Sequence, residues 1–221
     1  MKHLIYCTFS FLLFCSCSSK IDVSSPDIDL AKIYISEFKL SKIQTDQVDV
    51  RSIITPKMLE SPGNPVLYVE KASGLNGTLA LYPGANLEET WYTADGATIS
   101  LFNGEIIAKQ GMGNDIINTN IPRLNTYSER LQDPYQKSIS LLTSENKIQV
   151  IELVCTMSRE IENTDIEIFT IKHNVSKYIE KCRNNEYNIE NEFWQNFEGT
   201  TLKSIQWHNE SDEYILIMRL R

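Results

Sequence analysis

The sequence predicts an all-β fold, mainly an antiparallel meander of hairpins, preceded by a short N-terminal amphipathic helix. Three observations predict it. From residue 65 the apolar period changes from about 3.6 to 2, the spacing of a half-buried strand. Turn residues recur about every eight to twelve positions, the punctuation of an all-β chain. Asp95-Gly96 and Asn103-Gly104 sit between strand-like runs, and such pairs tolerate the positive φ that tight hairpins demand.

The elements follow in chain order. Ser25 is an N-cap with Pro26 in the first helical position, and Ile28, Ala31, Ile35 and Phe38 form one apolar stripe, which predicts an amphipathic helix over 26–42. Thr55-Pro56 repeats the signal and predicts a helical turn over 56–60. Strands are expected at Val66 to Lys71 and Thr78 to Tyr82 across Gly74-Leu75-Asn76-Gly77, then at Leu87 to Ala94, Thr98 to Phe102 and Glu105 to Lys109. Later strands are expected near 138–143, 147–157, 165–173, 202–208 and 213–220. Tyr214 to Met218 is apolar on both faces, so it belongs inside the architecture rather than on an exposed edge.

The first residues read as an export signal. Lys2 is a positive start, and Leu4 to Phe14 is an apolar stretch shorter than the ~20 residues a membrane span needs. It ends in Phe14-Cys15-Ser16-Cys17, which resembles the bacterial lipobox, a small residue before a cysteine that is acylated and becomes the new N-terminus. Cys17 is the expected lipidation site. Ser18 after it, rather than Asp, implies the outer membrane, periplasmic side, by the sorting rule that accompanies the lipobox. The expected organisation is a signal peptide over 1–16, a lipidated tether over 17–24 and one mainly-β domain over 25–221.

Removing residues 1–16 takes away one lysine and no acid, which moves the formal net charge from −8 to −9. That balance argues against nucleic acid as a partner and against polybasic attraction to anionic lipid. A hydrophobic content of 42% is ample for a core. Membrane attachment is therefore expected through the N-terminal lipid alone. Of five cysteines, only Cys155 and Cys182 remain beyond the signal and Cys17. An even pair in an oxidising compartment reads as a disulfide. Cys155 also continues the alternating face of Ile151 and Leu153, where a buried lone thiol would be equally comfortable.

Signals for catalysis are weak. His173 and His208 have no ligand candidate at metal-site spacing, no G-x-S-x-G elbow exists, and Gly111-Met-Gly113 is followed by Ile116 where a dinucleotide fingerprint requires a third glycine. No metal, no cofactor and no catalytic residue is expected. The carboxylate pairs Glu88-Glu89 and Asp212-Glu213 would serve a glycosidase only if they flanked a cleft at about 5 to 9.5 Å. Trp91, Trp194 and Trp207 each lie in or beside an expected strand. They read as core, with stacking on a sugar face as the alternative.

Two stretches carry a family resemblance. The first runs Thr90-Trp-Tyr-Thr-Ala-Asp-Gly96, Leu101-Phe-Asn-Gly-Glu-Ile-Ile-Ala108 and Gly111-Met-Gly113-Asn-Asp115-Ile116. The second runs Glu190-Asn-Glu-Phe-Trp194, Gly199 and Lys203-Ser-Ile-Gln206-Trp207. Together they resemble the YjbF/GfcB-type family of outer-membrane lipoproteins associated with capsule and exopolysaccharide production, with Phe193 where the family more often has tyrosine. The resemblance implies antiparallel strands in a large curved or barrel-like sheet. It makes Trp91, Asp95, Gly96, Gly111, Gly113, Asp115, Trp194, Gln206 and Trp207 candidates for a glycan-binding, partner-binding or core role. It also implies polysaccharide-export proteins or a glycan as partners.

The expected function is thus a non-enzymatic accessory of polysaccharide export or assembly. The alternatives are a structural envelope lipoprotein without a glycan role, and a glycan-modifying enzyme using a carboxylate pair.

Overall fold

The computed structural model describes residues 49–60, 63–83, 88–124, 126–209 and 213–221. The expected signal peptide, Cys17, the tether and the helix over 26–42 lie outside the described residues, as does Asp212.

Twelve antiparallel strands form a closed barrel in which each strand pairs with its chain neighbours and β12 returns to β1. They are β1 (Val66–Lys71), β2 (Asn76–Leu81), β3 (Glu88–Tyr92), β4 (Thr98–Phe102), β5 (Glu105–Gln110), β6 (Ile116–Asn120), β7 (Tyr135–Leu142), β8 (Ile148–Ile168), β9 (Ile171–Arg183), β10 (Asn188–Gln195), β11 (Thr201–Asn209) and β12 (Glu213–Arg219). The expected helical turn is present as α1 (Pro56–Glu60).

Period-two patterning explains the filling of the barrel. Leu67 and Val69 of β1, Ile99 and Leu101 of β4, Ile151 and Leu153 of β8, and Ile215 and Ile217 of β12 join one buried cluster. Outward positions on β8 and β9 carry exposed Glu152, Lys181 and Arg183. A transmembrane barrel wears apolar residues outside and polar ones within. Here the main apolar cluster lies inside and the outer face is mixed, with exposed Ile148, Val150 and Val154 of β8 beside Glu152.

Three sequence readings are corrected by the structure. β6 was not expected, because Asn118 and Asn120 leave its five residues without an apolar face. Nor was β10, whose buried positions Ile189, Asn191, Phe193 and Gln195 are half polar and break the apolar alternation. The strand expected over 165–173 is instead the tip of a hairpin, with β8 and β9 joined through Phe169 at φ 55°.

That hairpin continues past the barrel as an arm. Two register shifts, at Arg159/Ile161 and Ile161/Thr164, insert extra residues in β8 opposite β9, and bulges of this kind bend a strand. The bent arm folds back over the outer wall. Its tip residues Ile166, Ile168 and Phe169 pack with Val50, Tyr68, Leu216, Met218 and Leu220. This contact covers the outer face of the doubly apolar β12, which lies between β1 and β11.

Candidate functional site

Inside the barrel wall lies a buried chain of charges. Glu105 accepts from Arg130 Nη1 at 2.6 Å and from Lys137 Nζ at 2.8 Å, and Lys137 Nζ also donates to Glu180 at 2.8 Å. Tyr135 OH and Asn191 Nδ2 donate to the same Glu180 carboxylate. Tyr127–Arg130 forms a single 3-10 turn that brings Arg130 to Glu105. There Tyr127 stacks on Phe193 at a ring separation of 4.7 Å.

The electrostatics oppose a general-acid role for Glu105. Burial pushes the Glu105 carboxyl up, but Lys137 and then Arg130 outweigh it and hold the pKa down to about 2. A general acid needs the opposite shift. Burial, and then Glu180, push the Tyr135 phenol far above its usual value, so it stays protonated and donates. Glu105 and Glu180 lie within twice 2.8 Å of one another through their shared lysine, close enough for a glycosidase pair. Both are wholly buried with the ammonium wedged between them, so they flank no cleft.

The cavity bordered by Lys137, Asn191, Gln206 and Trp207 holds about 10 Å³, room for about one water. A sugar ring does not fit there.

Gln206 ties opposite walls together. Its Nε2 donates to Gly104 O at 2.7 Å, and its Oε1 accepts from Ile106 N at 2.9 Å. The β11 side chain thereby satisfies backbone groups of the β4–β5 hairpin across the barrel. The turn there is Asn103 at φ 52° and Gly104 at φ 82°, the left-handed pair of a tight hairpin. A Cβ at Gly104 would lie 2.4 Å from the Thr201 Cβ. Gly104→Ala should therefore cost roughly 2 to 4 kcal/mol, from disfavoured φ and overpacking together, measured by urea denaturation. A loss under about 1 kcal/mol would show that the turn and Thr201 both yield.

The barrel wall has a seam at the opposite end of β10 and β11. Their ladder register begins at Glu192↔Ile205, and beyond it side chains stand in for strand pairing. Asn191 Oδ1 accepts from Trp207 N at 2.7 Å, and Tyr214 OH accepts from Glu190 N at 3.3 Å. At this seam Trp207, partly exposed, meets Tyr187 edge-on at 5.9 Å.

The other expected site residues have distinct places. Trp91 is fully buried in the core beneath Arg219, with its Nε1 donating to Glu89. Trp194 is 8% exposed and covered by Lys203 and Lys177 at 4.5 and 5.3 Å. Asp95 is bonded by Thr93, and Gly96 takes φ 92° in the β3–β4 turn. Asp115 accepts from Gly111 N at 2.9 Å, closing the Gly111-Gly113 loop. Gly111 has φ 76°, and a Cβ there would press on Ala97. Cys155 and Cys182 face each other on β8 and β9 and form a disulfide. Glu180 stands beside them, but sulfurs bonded to each other do not offer thiolates to a metal. Sequence reasoning missed Glu105, Arg130, Lys137 and Glu180. Their only signal was a charge, on strands for Glu105, Lys137 and Glu180 and on a turn for Arg130, and a charge in either place ordinarily marks an outward face.

The fold and site define a packed antiparallel β-barrel domain whose interior, among the described residues, is lined by its own apolar and charged side chains. A sequence model of the family described as "Group 4 capsule polysaccharide lipoprotein gfcB, YjbF" matches residues 39–220, and the chain belongs to that family. Among solved structures, the crystal structure of the hypothetical lipoprotein YmcC from Escherichia coli (K12) has a similar fold, with a TM-score of 0.65 at 16% identity over 81% of this chain and 97% of that one. A search of curated proteins finds no match.

Proposed function

We propose that this protein is a non-enzymatic accessory of capsule-type polysaccharide export or assembly, held on the periplasmic side of the outer membrane by acyl chains on Cys17. The observation that carries this reading is membership of the capsule lipoprotein family across residues 39–220. The absence of a catalytic role is supported by the burial of Glu105 and Glu180 around Lys137 and by the ionised state of Glu105. Cys17 follows the short apolar stretch and Ser16 in the order lipoprotein processing requires.

Deletion of the protein should reduce surface or secreted polysaccharide, and the native chain should restore it. Intact-mass measurement on the membrane fraction should give a chain beginning at Cys17 with acyl mass. Cys17→Ser should leave that fraction and fail to complement. Normal polysaccharide in the deletion strain would overturn the pathway assignment and favour a purely structural envelope role. Abolition by one Glu→Gln change in a folded protein would favour an enzyme.

A further inference from the structure

We propose that the Trp207–Tyr187 pair at the β10–β11 seam is a glycan-binding site that receives one pyranose ring of the polysaccharide. This deepens, and rests on, the capsule reading above. Four observations lead to it. Trp207 is the partly exposed member of the three tryptophans, whereas Trp91 and Trp194 are buried. A flat ring partly open to water next to a phenol offers both apolar surface for sugar C–H groups and a hydrogen-bonding edge.

The pair is also held in advance of binding. Trp207 N is bonded to Asn191, whose Nδ2 is in turn bonded to Glu180 of the buried charge chain. Tyr187 sits in a turn fixed by Asn184 Oδ1, which accepts from both Glu186 N and Tyr187 N at 2.8 and 2.7 Å. These bonds fix the backbone beneath both rings, and the rings themselves meet edge-on and pack on the main core cluster, so they lose little freedom on binding. Polar groups border the rings: Gln149 Nε2 lies 3.4 Å from the Tyr187 hydroxyl, and exposed Glu190 is next to the seam. Finally, the interior cavity that Trp207 borders is too small for a sugar, and Trp207 and Tyr187 pack on the main core cluster on one side, which leaves their solvent-facing part as the surface a ring would meet. An added β-strand is disfavoured here, since Asn191 and Tyr214 already occupy seam backbone groups.

The test uses the full acylated chain in detergent, titrated with surface polysaccharide purified from the same cells and with dextran as control. Binding should weaken at least tenfold in Trp207→Ala and in Tyr187→Ala, while Trp194→Phe binds like the native chain. Thermal unfolding identifies any variant that fails to fold. Tyr187→Ala, at the turn surface, serves if Trp207→Ala does not fold. Native-like binding by either folded alanine variant, or no binding by the native chain, would overturn the site. If deletion impairs polysaccharide but the pure chain binds none, the site fails and the pathway role stands. If binding is lost in the variants yet deletion leaves polysaccharide normal, the site stands and the pathway role fails.

Discussion

Lys137→Met should destabilise the barrel by about 3 to 5 kcal/mol, the cost of breaking a buried ion pair by removing one partner. Lys137 Nζ contacts both Glu105 and Glu180 at 2.8 Å, and both carboxylates are fully buried. Methionine fills the volume, so the loss reports charge rather than packing. Urea denaturation at pH 7 is the measurement, and a change below about 1 kcal/mol would show that the remaining partners suffice. Glu180→Gln on the same background should recover part of the loss. The native network also sets an acid limit. The Glu105 pKa is lowered from 4.5 to about 2 on folding, so its contribution is complete above pH 4.5. It disappears as pH falls from 4.5 to 2. Its size is on the order of 3 kcal/mol, and stability measured across that window should fall accordingly.

Loss of the Cys155–Cys182 bond should cost about 3.5 kcal/mol in the chain-entropy model for a separation of 27 residues. Both residues are buried in the main core, so reductant should act only as the barrel opens. The comparison is the urea midpoint of the oxidised chain against that of the Cys155→Ala, Cys182→Ala double variant. Equal midpoints would show that the bond adds nothing to the paired β8–β9 ladder. Thiol titration of the unfolded native chain should find neither cysteine free.

The meander was legible because β1, β3 and β4 turn alternate apolar residues to the core and Asp95-Gly96 and Asn103-Gly104 make the turns that join β3 to β4 and β4 to β5, while β12 was legible as a run apolar on both faces. Leu67, Val69, Ile99 and Leu101 are apolar at alternate places for that reason. The rule failed where buried positions are polar. Asn191 and Gln195 are 4% exposed yet look like surface residues in sequence, because the partners that satisfy them, Glu180 and Trp207 for Asn191 and Gly199 and Asn103 for Gln195, meet them only in the folded chain. Gln206 was legible as a motif residue, but its partner Gly104 lies 102 positions away. The same distance hid the charge chain, in which Glu105 and Lys137 are 32 residues apart and Lys137 and Glu180 are 43 apart. The hairpin arm was misread for the opposite reason. Outside the barrel its residues Arg159 to Asn163 are all exposed, so they show no alternation.

The pairing of β1 with β12, Leu67 opposite Arg219, has a kinetic consequence. Closure joins the two ends of the domain, so the ring stays open until the last strand has been made and delivered. Until then β1 offers an unpaired edge, the kind of template on which chains aggregate. Contacts of such sequence separation are slow to form. The arm tip, resting on Tyr68, Met218 and Leu220, then acts as a latch over the join: it has its contact surface only when both closing strands are side by side.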